Sequence, residues 1–86
     1  SSPAAARGER VLVVDDEPAA ARVAARALQH FGYSTAIAAS GREALALLER
    51  AQERVDCVLL DRTMPDLSGE ETLVLLRERD PQLVVV

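Results

Sequence analysis

The stretch VLVVDDEP, from Val11 to Pro18, decides the fold class of this 86-residue chain. Its first four residues are aliphatic without interruption, which predicts a strand that is buried on both faces. Asp15 and Asp16 end this strand, and Pro18 suits the first turn of a helix, where the missing N–H of proline costs nothing. The stretch therefore predicts a buried strand that leads through a short acidic turn into a helix.

Strands and helices alternate along the rest of the chain. Helices are predicted from about Pro18 to Phe31, from about Ser40 to near Arg54, and from Glu70 to Arg79. Further strands are predicted at residues 33–38, 55–60 and 83–86. Because alternating strands and helices form βαβ units, the predicted fold class is α/β with a parallel sheet.

The spacing of apolar residues predicts how the first two helices pack. The inner stripe of the first helix is predicted to consist of Val23, Ala27, Leu28 and Phe31. Gly32 is a natural stop for this helix. Ser40 and Glu43 fit a capping box at the start of the second helix. The inner face of the second helix is predicted to consist of Ala44, Leu45, Leu48 and Ala51.

The composition restricts the partners and the compartment. The formal net charge is -4, all ten basic residues are Arg and no basic patch is present, so this domain is not expected to bind nucleic acid. Cys57 is the only cysteine, which excludes an intrachain disulfide and a cysteine metal cluster. No apolar run is long enough to cross a bilayer, and residues 1–9 lack the apolar core of a signal peptide. These features predict a cytoplasmic domain without membrane contact.

Acidic residues stand at the ends of two predicted strands. Asp15 and Asp16 follow the first strand and Asp61 follows the third, so the three converge if these strands are neighbours. Two carboxylates about 4 Å apart repel by roughly 4 kcal/mol at an effective dielectric near 20, and such a cluster favours a bound cation. Oxygen ligands without His or Cys suit Mg²⁺. The combination suggests phosphoryl chemistry at an aspartate.

Three segments together resemble a known family. They are VLVVDDEP (Val11–Pro18), GREALALL (Gly41–Leu48) and LLDRTMPDLSGEE (Leu59–Glu71). In letters, order and spacing they resemble the response-regulator receiver domain of two-component signalling. The resemblance implies a flavodoxin-like, doubly wound parallel sheet of order 2-1-3-4-5, of which this chain supplies about four strands and three helices. Residues 1–9 are then a linker or a cloning remnant, and residues 10–86 are an incomplete receiver domain.

The resemblance also implies roles for single residues. Asp61 would be the phosphoacceptor, Asp16 would bind Mg²⁺ directly, and Asp15 would do so mainly through water. Thr63 would offer its backbone carbonyl to the metal, with its side chain near the phosphoryl oxygens. The donor would be a phosphohistidine on a histidine kinase or a histidine phosphotransfer domain. The domain would be a switch rather than an enzyme by itself. The stretch TMPDLSGEET (Thr63–Thr72) also resembles the receiver at the C-terminal end of hybrid sensor histidine kinases.

The match stops short of two family positions. The family's switch Ser or Thr would fall past Val86, and its phosphate-pairing Lys follows the fifth strand, whereas this chain contains no Lys. A further segment of the chain, a fragment and a degenerate protein are the three explanations left open. An exposed edge on the last strand invites pairing with another chain. We therefore expect a homodimer through that sheet edge or a weakly stable domain.

Other interpretations of the same residues stay open. Asp15 and Asp16 could simply cap the helix that Pro18 opens. His30 is predicted to be a surface residue, and Cys57 a small core residue. A second functional hypothesis is a receiver-like protein-interaction module that is not phosphorylated. An aspartate-nucleophile phosphatase ranks last, because those enzymes place acids at alternate positions after the first strand, whereas Asp15 and Asp16 are adjacent.

Overall fold

The computed structural model describes residues 8–50, 54–61 and 69–86. The elements are β1 (Arg10–Val14), α1 (Pro18–His30), β2 (Ser34–Ala38), α2 (Gly41–Arg50), β3 (Cys57–Leu60), α3 (Gly69–Arg79) and β4 (Val84–Val85). The predicted alternation of strands and helices is confirmed. The strand β3 begins two residues later than predicted. The predicted continuation of α2 at residues 51–53, including Ala51 of its inner face, lies outside the described residues.

The four strands run parallel in the order β2-β1-β3-β4. The register pairs Val14 with Ala38 of β2 on one side and with Leu60 of β3 on the other. The chain thus runs outward from β1 to β2 and then crosses back to β3, so the strand order reverses beside β1. A doubly wound parallel sheet is confirmed for these strands, and its reversal point is where such sheets bind ligands.

Alternate residues of β1 face two different layers of the core. Leu12 and Val14 are buried in a cluster that includes Ala44 of α2 and Leu76 of α3. Val11, in contrast, is buried with residues of α1 on the other face of the sheet. Helices therefore cover β1 on both faces, which explains why its aliphatic run has no polar interruption.

The predicted inner stripe of α1 is mostly wrong. Three of its four residues are exposed, namely Val23, Ala27 and Phe31. The helix instead buries Ala21 and Ala25, and only Leu28 of the predicted stripe packs against the core. Because α1 is rich in alanine, it carries two apolar stripes at helical spacing. The sheet takes the stripe of small residues, since methyl side chains let a helix approach a pleated surface closely.

The predicted helix ends are confirmed at two positions. Gly32 follows α1 with φ 96°, in the left-handed region that a glycine adopts without steric cost. The N–H groups of Gly32 and Tyr33 donate to the carbonyls of Gln29 and Leu28, at 3.0 and 3.1 Å, which closes the last turn as a Schellman motif. At the start of α2, the Glu43 N–H donates to Ser40 Oγ at 3.0 Å.

Candidate functional site

The backbone brings the acidic residues of two strands to one edge of the sheet. Because β1 pairs directly with β3, Asp15 and Asp61 each follow a residue of the Val14–Leu60 pair. The Asp61 N–H donates to the Val14 carbonyl at 2.9 Å, and the Asp15 N–H donates to the Ala38 carbonyl at 3.1 Å. Main-chain hydrogen bonds to the neighbouring strands therefore fix the positions of both residues.

Three carboxylates converge at this edge. One carboxylate oxygen from each of Asp15, Asp16 and Asp61 lies within 4.8 Å of the others. Asp15 and Asp61 are half-buried, whereas Asp16 is exposed. At this spacing each pair of charges repels by about 3 kcal/mol at an effective dielectric near 20, and less where water screens Asp16. The arrangement is costly unless a cation shares the oxygens.

The oxygens of this cluster fit a hard divalent cation. Mg²⁺ binds oxygen ligands at about 2.0–2.1 Å in octahedral geometry, so two ligands on one ion lie no more than about 4.2 Å apart. The three carboxylate oxygens lie within 4.8 Å of one another. A small side-chain movement would bring them within reach of one ion, and a water between one carboxylate and the ion would serve the same purpose. The set contains neither a nitrogen nor a sulfur ligand, which favours Mg²⁺ over Zn²⁺.

The interpretation of Asp15 and Asp16 as simple helix caps is only partly correct. The N-cap residue of α1 is Glu17, and its side chain makes no capping hydrogen bond. Asp15 lies two residues before the N-cap, and its Oδ1 accepts the Glu17 N–H at 2.9 Å. This bond forms an Asx turn at the entrance to α1. Asp15 therefore belongs both to the turn and to the acidic cluster.

The remaining predicted residues fall in different places. Thr63 belongs to residues 62–68, which lie outside the described residues. His30 is exposed at the end of α1, as predicted. Cys57 is half-buried and packs with the residues on the α1 side of the sheet. Burial, and secondarily the charge of Asp56, raises the pKa of the Cys57 thiol, which makes it a poor nucleophile.

Sequence reasoning missed the contribution of Ala38. Its carbonyl is the acceptor that holds the Asp15 backbone at the end of β2. An alanine side chain carries no chemical signal, and the role belongs to a main-chain oxygen. Only the register of β1 against β2 identifies it.

Comparison with known proteins supports a single family. Residues 11–86 match the family model of the response regulator receiver domain. The response regulator MprA of Mycolicibacterium vanbaalenii is 43% identical over 77 residues, which are 90% of this chain and 32% of MprA. The sensor kinase CckA of Brucella abortus is 42% identical over 73 residues, 85% of this chain and 8% of the kinase. The chain thus spans about a third of such a regulator.

Solved structures agree with these sequence relatives. The response regulator TrrA of Thermotoga maritima, in complex with Mg²⁺ and BeF, superposes with a TM-score of 0.83 at 35% identity. The match covers 90% of this chain and 65% of the TrrA chain. TrrA has also been crystallised with the histidine kinase ThkA, and that structure gives a TM-score of 0.79. Within the described residues, no helix is long and apolar enough to cross a membrane.

Proposed function

The chain belongs to the family of response regulator receiver domains, and from this premise we propose that it accepts a phosphoryl group on Asp61. The observation that supports the proposal is the convergence of Asp15, Asp16 and Asp61 at the reversal point of the sheet. Two other carboxylates beside the acceptor repel an incoming phosphate unless a cation offsets their charge, so the proposal includes Mg²⁺.

The proposed reaction is a transfer between two protein side chains. A carboxylate oxygen of Asp61 attacks the phosphorus of a phosphohistidine, the N–P bond breaks, and the released imidazole takes up a proton from water. The new O–P bond makes Asp61 an acyl phosphate. When bound, Mg²⁺ offsets negative charge on the transferring group.

Each residue of the cluster has a proposed part in this reaction. Asp61 would be the nucleophile and a cation ligand, and, as the family resemblance implies, Asp16 would bind the cation directly and Asp15 mainly through water. Asp16 is the exposed member, which suits an ion that enters from solvent. The proposed part of Thr63, a backbone carbonyl on the metal and a side chain near the phosphoryl oxygens, rests on the family resemblance alone.

The proposed partner is a histidine kinase or a histidine phosphotransfer domain in the cytoplasm, with no nucleic acid or membrane contact by this domain. The crystal structure of TrrA with ThkA supports a kinase partner for a relative. The match to CckA suggests that this receiver could equally be one part of a larger sensor kinase. By itself the domain is proposed to be a phosphoacceptor and not an enzyme.

A homodimer through the β4 edge of the sheet is a further part of the proposal. β4 lies at one edge of the four described strands, and Val84 and Val86 are 56% and 64% exposed. An edge strand with apolar side chains favours pairing, either with a second chain or with a further strand of its own sheet. Sedimentation of the full protein as a monomer at all concentrations would exclude this dimer.

The phosphoacceptor role is tested by incubating the full protein with Mg²⁺ and acetyl phosphate and measuring its intact mass. We expect a phosphoryl adduct that hydroxylamine removes and that Asp61→Asn abolishes. Asp56→Asn is the matched control, because Asp56 lies at the other end of β3 and should leave the adduct unchanged. An adduct that survives Asp61→Asn contradicts the assignment of the acceptor.

The second candidate function is an interaction module that is not phosphorylated. The family pairs the phosphoryl group with a Lys that follows the fifth strand, past Val86, and a full protein without that Lys would favour this candidate. The experiment above separates the two candidates, since the wild-type module would give no adduct although it binds its partner.

A further inference from the structure

Asp15 is the only residue of the acidic cluster that the described contacts tie to the entrance of α1. Its Oδ1 accepts the Glu17 N–H at 2.9 Å, while its own N–H donates to the Ala38 carbonyl at 3.1 Å. The residue is thus held on one side by the end of β2 and on the other by the residue that precedes the first turn of α1. The second carboxylate oxygen of Asp15 takes part in neither of these two hydrogen bonds.

The start of α1 has few other side-chain contacts of this kind. Glu17 is extended, with φ -94° and ψ 105°, and its side chain makes no capping hydrogen bond. The first turn contains no acidic residue, and Pro18 at the beginning of the helix has no N–H. Among the described contacts, the Asp15 carboxylate is the side-chain acceptor that holds a main-chain N–H at the entrance to α1.

Building on the proposed Mg²⁺ site, we propose that Asp15 is a positioning residue that couples cation binding to the first turn of α1. One oxygen holds the Glu17 amide and the other serves the cation, either directly or through water. A cation that immobilises the carboxylate also strengthens the turn, and an ordered turn presents the carboxylate to the cation. By linkage the two effects are equal in free energy.

Substitutions separate the charge of Asp15 from its hydrogen bond. Asp15→Asn keeps an oxygen that can accept the Glu17 N–H, since asparagine forms the same turn, but it removes the charge. Asp15→Ala removes both the acceptor and the charge. Asp16→Asn is the matched control, because it removes the same charge from the adjacent residue and leaves the Asp15 turn in place.

The first measurement is hydrogen–deuterium exchange at the Glu17 amide of the full protein, without divalent cations. Loss of the hydrogen-bond acceptor should speed this exchange about tenfold in Asp15→Ala. Asp15→Asn and Asp16→Asn should exchange like the wild type. Exchange at the Val13 amide, within β1, shows that each variant is folded. If the Glu17 amide exchanges in Asp15→Ala at the wild-type rate, the positioning role is wrong. That result would not contradict the proposed phosphorylation of Asp61.

The second measurement repeats the exchange with saturating Mg²⁺ and adds a calorimetric titration of Mg²⁺. We expect Mg²⁺ to slow exchange at Glu17 severalfold in the wild type and to have little effect on it in Asp15→Asn. The Mg²⁺ affinity should fall in the order wild type, Asp15→Asn, Asp15→Ala. Equal affinities of the two variants would mean that only the charge of Asp15 matters, which overturns the coupling. A wild type that binds no Mg²⁺ overturns both this inference and the proposed function.

Discussion

The two ends of β3 carry the same residue type in opposite surroundings. Asp56, which precedes β3, accepts the Arg10 N–H at 2.9 Å and lies 3.1 Å from the Arg54 guanidinium. Asp61, which follows β3, faces the carboxylates of Asp15 and Asp16. Asp56 therefore lies beside a backbone donor and a cation, whereas Asp61 lies beside two further negative charges.

This difference separates a carboxylate that belongs to the framework from one whose proposed part is to bind a ligand. A paired aspartate at the start of a strand stabilises the fold by satisfying a backbone donor. A cluster of like charges has the opposite effect on stability and is found where a functional ion or substrate offsets it. Variants at the two ends of β3 should therefore behave in opposite ways.

The largest expected difference concerns cation affinity. Asp16→Ala should weaken Mg²⁺ binding at least about tenfold, because each carboxylate attracts a divalent ion by several kcal/mol at an effective dielectric near 20. Asp56→Ala should leave the affinity unchanged, since Asp56 lies at the far end of the strand. Calorimetric titration with Mg²⁺ measures both. Equal losses in the two variants would remove the distinction between the two ends.

The next prediction is that variants at the two ends of β3 change the free energy of unfolding in opposite directions. Without divalent cations, Asp61→Asn should raise it by about 1–2 kcal/mol, because the repulsion with Asp15 and Asp16 is relieved. Asp56→Ala should lower it by about 1–2 kcal/mol, because the Arg10 N–H loses its acceptor. Urea unfolding in the presence of a chelator measures both values. A loss of stability in Asp61→Asn would show that the cluster is not repulsive.

The smallest expected effect concerns Cys57, the first residue of β3. Burial, and to a lesser extent the charge of Asp56, raises the pKa of the Cys57 thiol. At about pH 8.5 its alkylation should therefore be slower than the alkylation of a free thiol. Asp56→Asn should speed it only about two- to threefold, because burial remains. Asp61→Asn is the control at the other end and should have no effect. A rate equal to that of a free thiol in Asp56→Asn would make charge, not burial, the main cause.

The raised thiol pKa also has a consequence for stability. The folded chain keeps the Cys57 proton to higher pH than the unfolded chain, whose thiol titrates near 9.0. The contribution of this thiol to the free energy of unfolding is therefore fully present below pH 9.0, and it is lost as the pH rises through the higher pKa of the folded state. A Cys57→Ala variant should show a smaller fall in stability over this alkaline range.

Most of the element order could be predicted from the sequence, because β1 and the helix stops have strong local signals. An uninterrupted aliphatic run ending in Asp15, and a glycine at position 32, each restrict the backbone without help from distant residues. The inner face of α1 could not be predicted in this way. Two apolar stripes satisfy the same helical period, and only contact with the sheet selects the Ala21–Ala25 stripe over Val23 and Phe31.

The sequence by itself determined the identity of the acids and their positions at strand ends, since residue type and strand length are local properties. It did not determine that Asp15 and Asp61 meet, because that depends on the pairing of β1 with β3, which are more than forty residues apart in the chain. The tertiary structure also decided that the Ala38 carbonyl holds the Asp15 backbone, whereas the bond of Asp15 to the Glu17 amide is a local turn. The contact with Ala38 depends on a main-chain oxygen of another strand, whose position is fixed only when the sheet is assembled.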